Sequence, residues 1–194
     1  MSENRSVLSS FESLFKYYKS LGEKAIVQVD DEALAKRSNA ESNSIATMVK
    51  HLWGNMLSRW TDFRTTDGEK EWRKRDEEFE NDIGSRDELN LKWEEGWKCL
   101  FDALADLNDS HLDSLIYIRN QGHTVLEAIH RQLAHYAYHV GQIVYLSKEL
   151  STSWLSLSIP RGESKAFNAD KFSQEKQKTH FTEDFIQNPE NNKK

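Results

Sequence analysis

Two histidines four residues apart, His135 and His139, lie in HRQLAHYAYHVGQIVYL (residues 130–146), a stretch that reads as one long apolar helix. Neutral imidazoles one helical turn apart can aim their ring nitrogens at a common point, which is why this spacing recurs in zinc proteins. With seven histidines in 194 residues, such a pair arises by chance in roughly one chain in four or five, so a third ligand is needed before it signifies a site. The residues between them are Tyr136, Ala137 and Tyr138, so the glutamate that serves as general base in HExxH metalloproteases is missing. His130 points almost opposite His139, His111 and His123 belong to an irregular approach to the helix, and His180 belongs to a polar tail. His51 differs, because it sits mid-helix in TMVKHLWGNMLSRW at the border of that helix's apolar stripe. From the residues alone, His51, His135 and His139 are either a three-nitrogen metal site or three hydrogen-bonded histidines at the edge of a core.

Other groups with chemistry are sparse. Asn55, one turn beyond His51, either orients a ligand or packs as a helix amide. Tyr138 is expected to pack on another helix or an interface, and Arg161 in IPRGES would meet an anionic substrate only if its segment folds back over the site. Cys99, the single cysteine, cannot form an internal disulfide, in keeping with a reducing compartment, and its setting in EEGWKCLFDAL indicates packing.

These residues need helices to position them. Both prolines, Pro160 and Pro189, lie near the C-terminal end, which leaves the first 159 residues free of the strongest helix breaker. Four segments carry a 3.6-residue apolar period. The first runs from Val7 through Phe11, Leu14, Phe15 and Tyr18 to a stop near Gly22. The second follows the cap-rich ESNS and runs from Ile45 to about Trp60. The third spans Leu89, Trp93, Trp97, Leu100, Leu104 and Leu107. The fourth opens at Thr124, with Glu127 completing a capping box, and continues to about Leu150. On this last helix Leu126, Ile129, Leu133, Val140 and Val144 form the main apolar stripe, with His135 and His139 on its flank. The expected fold class is all-α, a four-helix bundle. A long crossover joins helices 2 and 3, and an extended segment, STSWLSLSIPRGESKAFN, follows helix 4. The crossover is expected to be solvated, anchored by Trp72 and Phe79; the alternative is an active-site lid. SLIYIRNQGHT suggests a short extended pair before the fourth helix. The expected organisation is a bundle over residues 1–168 and a frayed or weakly helical polar tail over 169–194.

The net charge of −6 comes from 32 acidic and 26 basic residues that are interleaved. No basic face is offered to phosphates, which argues against nucleic acid as a partner. No stretch approaches the ~18 apolar residues of a membrane span, and the N-terminus lacks a charged start followed by an apolar run, so a cytoplasmic location is expected.

The histidine in KHLWGNMLSRW, followed much later by RQLAHYAYHVGQIVYLSK, resembles the DinB-like superfamily of bacterial four-helix-bundle metal proteins, which includes the YfiT-type proteins. The nearest likeness is to a branch without an assigned function, over about residues 5–168. Carried over position by position, the resemblance implies that His51, His135 and His139 bind one divalent metal, zinc or nickel. It implies a small-molecule substrate and a homodimer. By the same analogy the reaction is thiol S-transfer with a low-molecular-weight thiol such as bacillithiol. The alternatives are a metal-dependent hydrolase and a non-catalytic metal-binding or structural bundle.

Overall fold

The computed structural model describes residues 6–186. Seven α-helices account for most of it: α1 (Val7–Ile26), α2 (Asp31–Leu34), α3 (Ile45–Trp60), α4 (Arg86–Ala105), α5 (Val125–Leu150), α6 (Ser164–Ser173) and α7 (Glu183–Ile186). A two-stranded antiparallel hairpin, β1 (Leu115–Ile118) and β2 (Gln121–Thr124), precedes α5. The fold is thus mostly helical, as the periodicity predicts.

Local chemistry sets the helix ends. Ser6, Ser44 and Ser85 each accept a backbone N–H from the first turn of α1, α3 and α4, which satisfies a donor that has no partner within the helix. Thr124 and Glu127 form the expected capping box at the start of α5. The expected stop at Gly22 is incorrect: α1 continues to Ile26. Gly22 is there for packing, because a β-carbon would stand 2.5 Å from Cη2 and 2.6 Å from Cζ2 of the Trp93 indole on α4.

The four long helices bury their apolar faces together, α3 against α4 and α1 against α5, with α3–α5 and α1–α4 contacts closing the set. Phe15, Trp97 and Tyr136 meet at the centre, their rings 5.8–6.5 Å apart. Helix α3 is central: of its sixteen residues only Trp53 and Leu57 are not buried. On α5 the buried stripe is rotated from the expected one and runs through Val125, Ala128, Ile129, Gln132, Tyr136, His139, Val140 and Ile143. Leu126, Leu133 and Val144 lie at its margin.

Much of the crossover between α3 and α4 is exposed, as expected, but it is more than a strap. It covers the polar side of α3. Lys50 Nζ donates to Asp82 Oδ1 and the Glu77 carbonyl, and Ser58 Oγ donates to the Gly68 carbonyl. Trp72 is 56 % exposed, so the expected anchoring role falls to Phe79, which is half-buried. The segment after α5 is irregular up to Glu163 and then helical, so α6 begins inside the stretch expected to be extended. Within the tail, His180 and Thr182 are buried. Phe181 and Phe185 pack on Tyr17 of α1. The rest of the expected tail, 187–194, and positions 1–5 lie outside the described residues. Among the described residues no helix is long and apolar enough to cross a membrane.

Candidate metal centre

Helix α3 brings His51 to the face of α5 that carries His135 and His139. One ligand nitrogen from each of the three lies within 4.8 Å of the others, and the ring centroids stand 4.8–5.3 Å apart. The three histidines therefore lie close enough together to hold one metal ion. His51 and His139 are buried and His135 is half-buried.

The outer nitrogens of His51 and His139 have fixed roles. His51 Nδ1 donates to Glu78 Oε2 at 2.9 Å, and His139 Nδ1 donates to Gln142 Oε1 at 2.9 Å. Both contacts place the proton on Nδ1 and leave Nε2 as the donor atom facing inward. His51 Nε2 and His135 Nε2 face each other at 3.2 Å. Two lone pairs cannot sit so close unaided; a proton on one nitrogen or a cation between the rings resolves the contact. Two nitrogens on a tetrahedral zinc, with Zn–N near 2.05 Å, are ~3.3 Å apart, so the His51–His135 pair has the spacing of two ligands of such an ion.

Electrostatics keep the His135 and His139 rings neutral. Burial, then the neighbouring His139 and His51, then Arg59 and Arg73, push His135 down to about 3. Burial and His51 push His139 down to about 4, against a small opposing effect of Gln142. Neutral imidazole is the form that ligates metal. Burial alone would raise the Glu78 carboxyl, but its hydrogen bonds to His51 and Arg73 outweigh this and lower it.

Glu78 comes from the crossover. Arg73 grips it with Nε on Oε1 at 2.7 Å and Nη2 on Oε2 at 2.9 Å. Phe79 stacks on the His51 ring at 4.9 Å and 29°. Gly54, one turn along α3 from His51, makes room for this carboxylate: a β-carbon there would stand 2.8 Å from Glu78 Cδ and closer still to Oε1. Trp60 Nε1 donates to the Tyr136 hydroxyl at 3.0 Å, which in turn donates to Asn55 Oδ1 at 3.2 Å. Asn55 is thereby held at the wall of the cavity beside the histidines.

That cavity, of about 360 Å³, is lined by the three histidines, Asn55, Gln132, Phe79 and five arginines. Arg161 is not among its lining residues. The segment that carries Arg161 instead starts beside the end of α1, where Leu155 N–H donates to Gln28 Oε1 at 2.6 Å. Tyr138 is 62 % exposed, and Cys99 sits against Thr61 and the Met56 carbonyl, its thiol pushed up by burial. Glu78 and Arg73 escape sequence reasoning, because a run such as RKRDEEFEND carries no periodic signal, and Gln132, on the periodic α5, escapes it because its polarity reads as solvent-facing. Gln142, three residues after His139, is the one partner that helical spacing could have found.

A three-nitrogen cluster between two helices of a helical core, oriented by a carboxylate and an amide, defines a class of protein with a candidate metal centre. The chain matches, over residues 2–163, the model of the family described as Protein of unknown function (DUF1572), and it belongs to that family. No curated protein matches the chain.

Proposed function

We propose that this chain is a metal-dependent enzyme built as a DinB/YfiT-like four-helix bundle, with His51, His135 and His139 holding one divalent ion, zinc or nickel. The observation that carries the reading is the convergence of three imidazoles on a cavity, with partners on the outer nitrogens of His51 and His139. Among the described residues no cysteine or carboxylate joins the cluster as a fourth ligand. Structural zinc sites are closed by four protein ligands, whereas three leave a position for substrate. A divalent ion in such a site supplies a Lewis acid that lowers the pKa of a bound water or thiol.

The chain's own residues supply the rest. Glu78 holds the His51 tautomer, Gln142 holds that of His139, and Asn55 offers a fixed amide to a bound molecule. We assign the reaction as S-transfer from a low-molecular-weight thiol such as bacillithiol to an electrophilic small molecule, in a homodimer, as the likeness to the superfamily implies. The test is a turnover screen of nickel- and zinc-loaded protein against bacillithiol, cysteine and coenzyme A with a panel of electrophiles, with ester and amide substrates in parallel. Thiol consumption well above that of a His51→Ala variant supports S-transfer, and ester or amide cleavage with no thiol transfer supports the hydrolase. Nickel-loaded protein whose absorption is unmoved by thiols or azide has no open position, and the enzyme reading fails.

A further inference from the structure

The cavity beside the histidines carries more positive charge than its carboxylates neutralise, in a protein whose net charge is −6. Of its five arginines, three are committed. Arg73 grips Glu78 and reaches Glu69, Arg59 binds Glu69 and the Gly68 carbonyl, and Arg119 binds Glu69. Two carboxylates thus serve three guanidinium groups and His51 as well. The other two arginines have no carboxylate of the cavity as partner. Arg75 lies over the Phe79 ring at 5.2 Å, and its nearest acid, Asp76, is 3.8 Å away and points into solvent. Arg131, exposed on α5, has among the described residues only His123 Nε2, at 3.3 Å, as a polar partner.

A second observation comes from α5. Gln132 is 3 % exposed and lines the cavity, yet its Oε1 has no hydrogen-bond partner among the described residues. A buried amide oxygen left unpaired is costly, and beside the cavity it offers an acceptor to an N–H or O–H of a bound molecule. The fork of a guanidinium matches a carboxylate or a phosphate, with charge-assisted bonds stronger than neutral ones.

We propose that the cavity takes a small organic anion, a carboxylate or a phosphate ester. Arg131 and Arg75 bind the anionic group, Gln132 meets the polar body, and the remainder of the molecule lies toward the three histidines. This substrate class rests on the functional reading above and deepens it. It also accounts for a basic cavity in an acidic chain: the charge is local and serves a small ligand.

The test is titration calorimetry at constant ionic strength on untagged protein, both chelator-treated and zinc-loaded, with succinate, inorganic phosphate and neutral succinamide. Wild type is compared with Arg75→Gln, Arg131→Gln and the double variant; both side chains are exposed, so the variants keep the core intact. The expected result is saturable binding of succinate or phosphate but not succinamide. Binding weakens about tenfold in each single variant and is lost in the double one, as expected when a charge-assisted contact is removed. Succinate alone identifies a carboxylate ligand, and phosphate alone a phosphate ester. Arginine-dependent binding by zinc-free protein upholds the anion site even if the protein proves to take up no metal, which would overturn only the metal reading. Anion binding no tighter than that of succinamide, or binding confined to zinc-loaded protein and unchanged in the double variant, overturns the proposal while leaving the metal centre standing.

Discussion

Replacing Glu78 by glutamine separates a metal-organising carboxylate from a merely buried one. The carboxylate accepts from His51 Nδ1 at 2.9 Å and from Arg73 Nε at 2.7 Å and Nη2 at 2.9 Å, and its side chain is 6 % exposed. An amide of the same shape has only one oxygen. If that oxygen stays with Arg73, the NH₂ meets His51 and the ring must present a lone pair at Nδ1, which moves its proton to Nε2, the nitrogen that faces His135. If the oxygen turns to His51, an NH₂ faces the Arg73 guanidinium instead. Losing an outer partner of a ligating histidine weakens metal binding by about 10- to 100-fold, or about 1.4–2.8 kcal/mol. Breaking the buried ion pair costs fold stability too, by less than the ~3–5 kcal/mol of full removal because at least one hydrogen bond survives in either orientation. Zinc affinity is read by competition with a chromophoric chelator, and the His51 tautomer by long-range nitrogen–proton correlation spectra. A Glu78→Gln protein that folds, keeps the Nδ1–H tautomer and binds zinc as tightly as wild type would refute the role assigned to Glu78.

Three further outcomes are expected. His135 and His139 are lowered from 6.5 to about 3 and about 4, so below pH 6.5 the unfolded chain binds protons that the folded chain refuses. Metal-free protein should therefore lose stability as pH falls from 6.5 toward 4, by up to about 1.4 kcal/mol per pH unit per histidine; melting temperatures that stay level between pH 6.5 and 5 would contradict this. Gly22→Ala gains about 1 kcal/mol of helix propensity but sets a methyl group 2.5 Å from the buried Trp93 ring, an overpacking cost of about 1–3 kcal/mol. Urea unfolding should show a net loss near 1 kcal/mol, and a gain would mean that α1 and α4 do not meet there. Asp67 accepts the backbone N–H groups of Arg119 and Asn120 at 2.8 Å each, holding a turn in which both residues have positive φ, 56° and 60°. Asp67→Ala should lower stability by about 1–3 kcal/mol, and a change below about 0.5 kcal/mol would show that the turn holds itself.

Much of this architecture is legible in the chain because it rests on local or periodic signals. The four long helices follow from apolar spacing, and their starts from Ser44 before Ile45 and Thr124 paired with Glu127. The histidine cluster was within reach because helical spacing brings His135 and His139 to one side and His51 to a core border. What stayed hidden is polar burial. Arg73, Glu78 and Lys50 are shielded only because each finds a partner contributed by a distant or irregular segment, and hydropathy scores such residues as solvent-facing. The same blindness hides what the crossover loop contributes, the carboxylate behind His51. Gly22 reads as a helix stop when only its own neighbours are considered; the indole that requires it lies seventy-one positions further along.

The central claim is that three imidazoles hold one ion, and metal content tests it most directly. Protein purified without a histidine tag is compared by plasma mass spectrometry with His51→Ala, His135→Ala and His139→Ala, each confirmed folded by circular dichroism. The predicted result is close to one zinc or nickel per chain in wild type, lost in all three variants. A wild type that stays empty after incubation with zinc, nickel, manganese and iron salts would contradict the claim. So would metal retained undiminished in the folded variants, and the opening histidine pair would then be part of a hydrogen-bonded core.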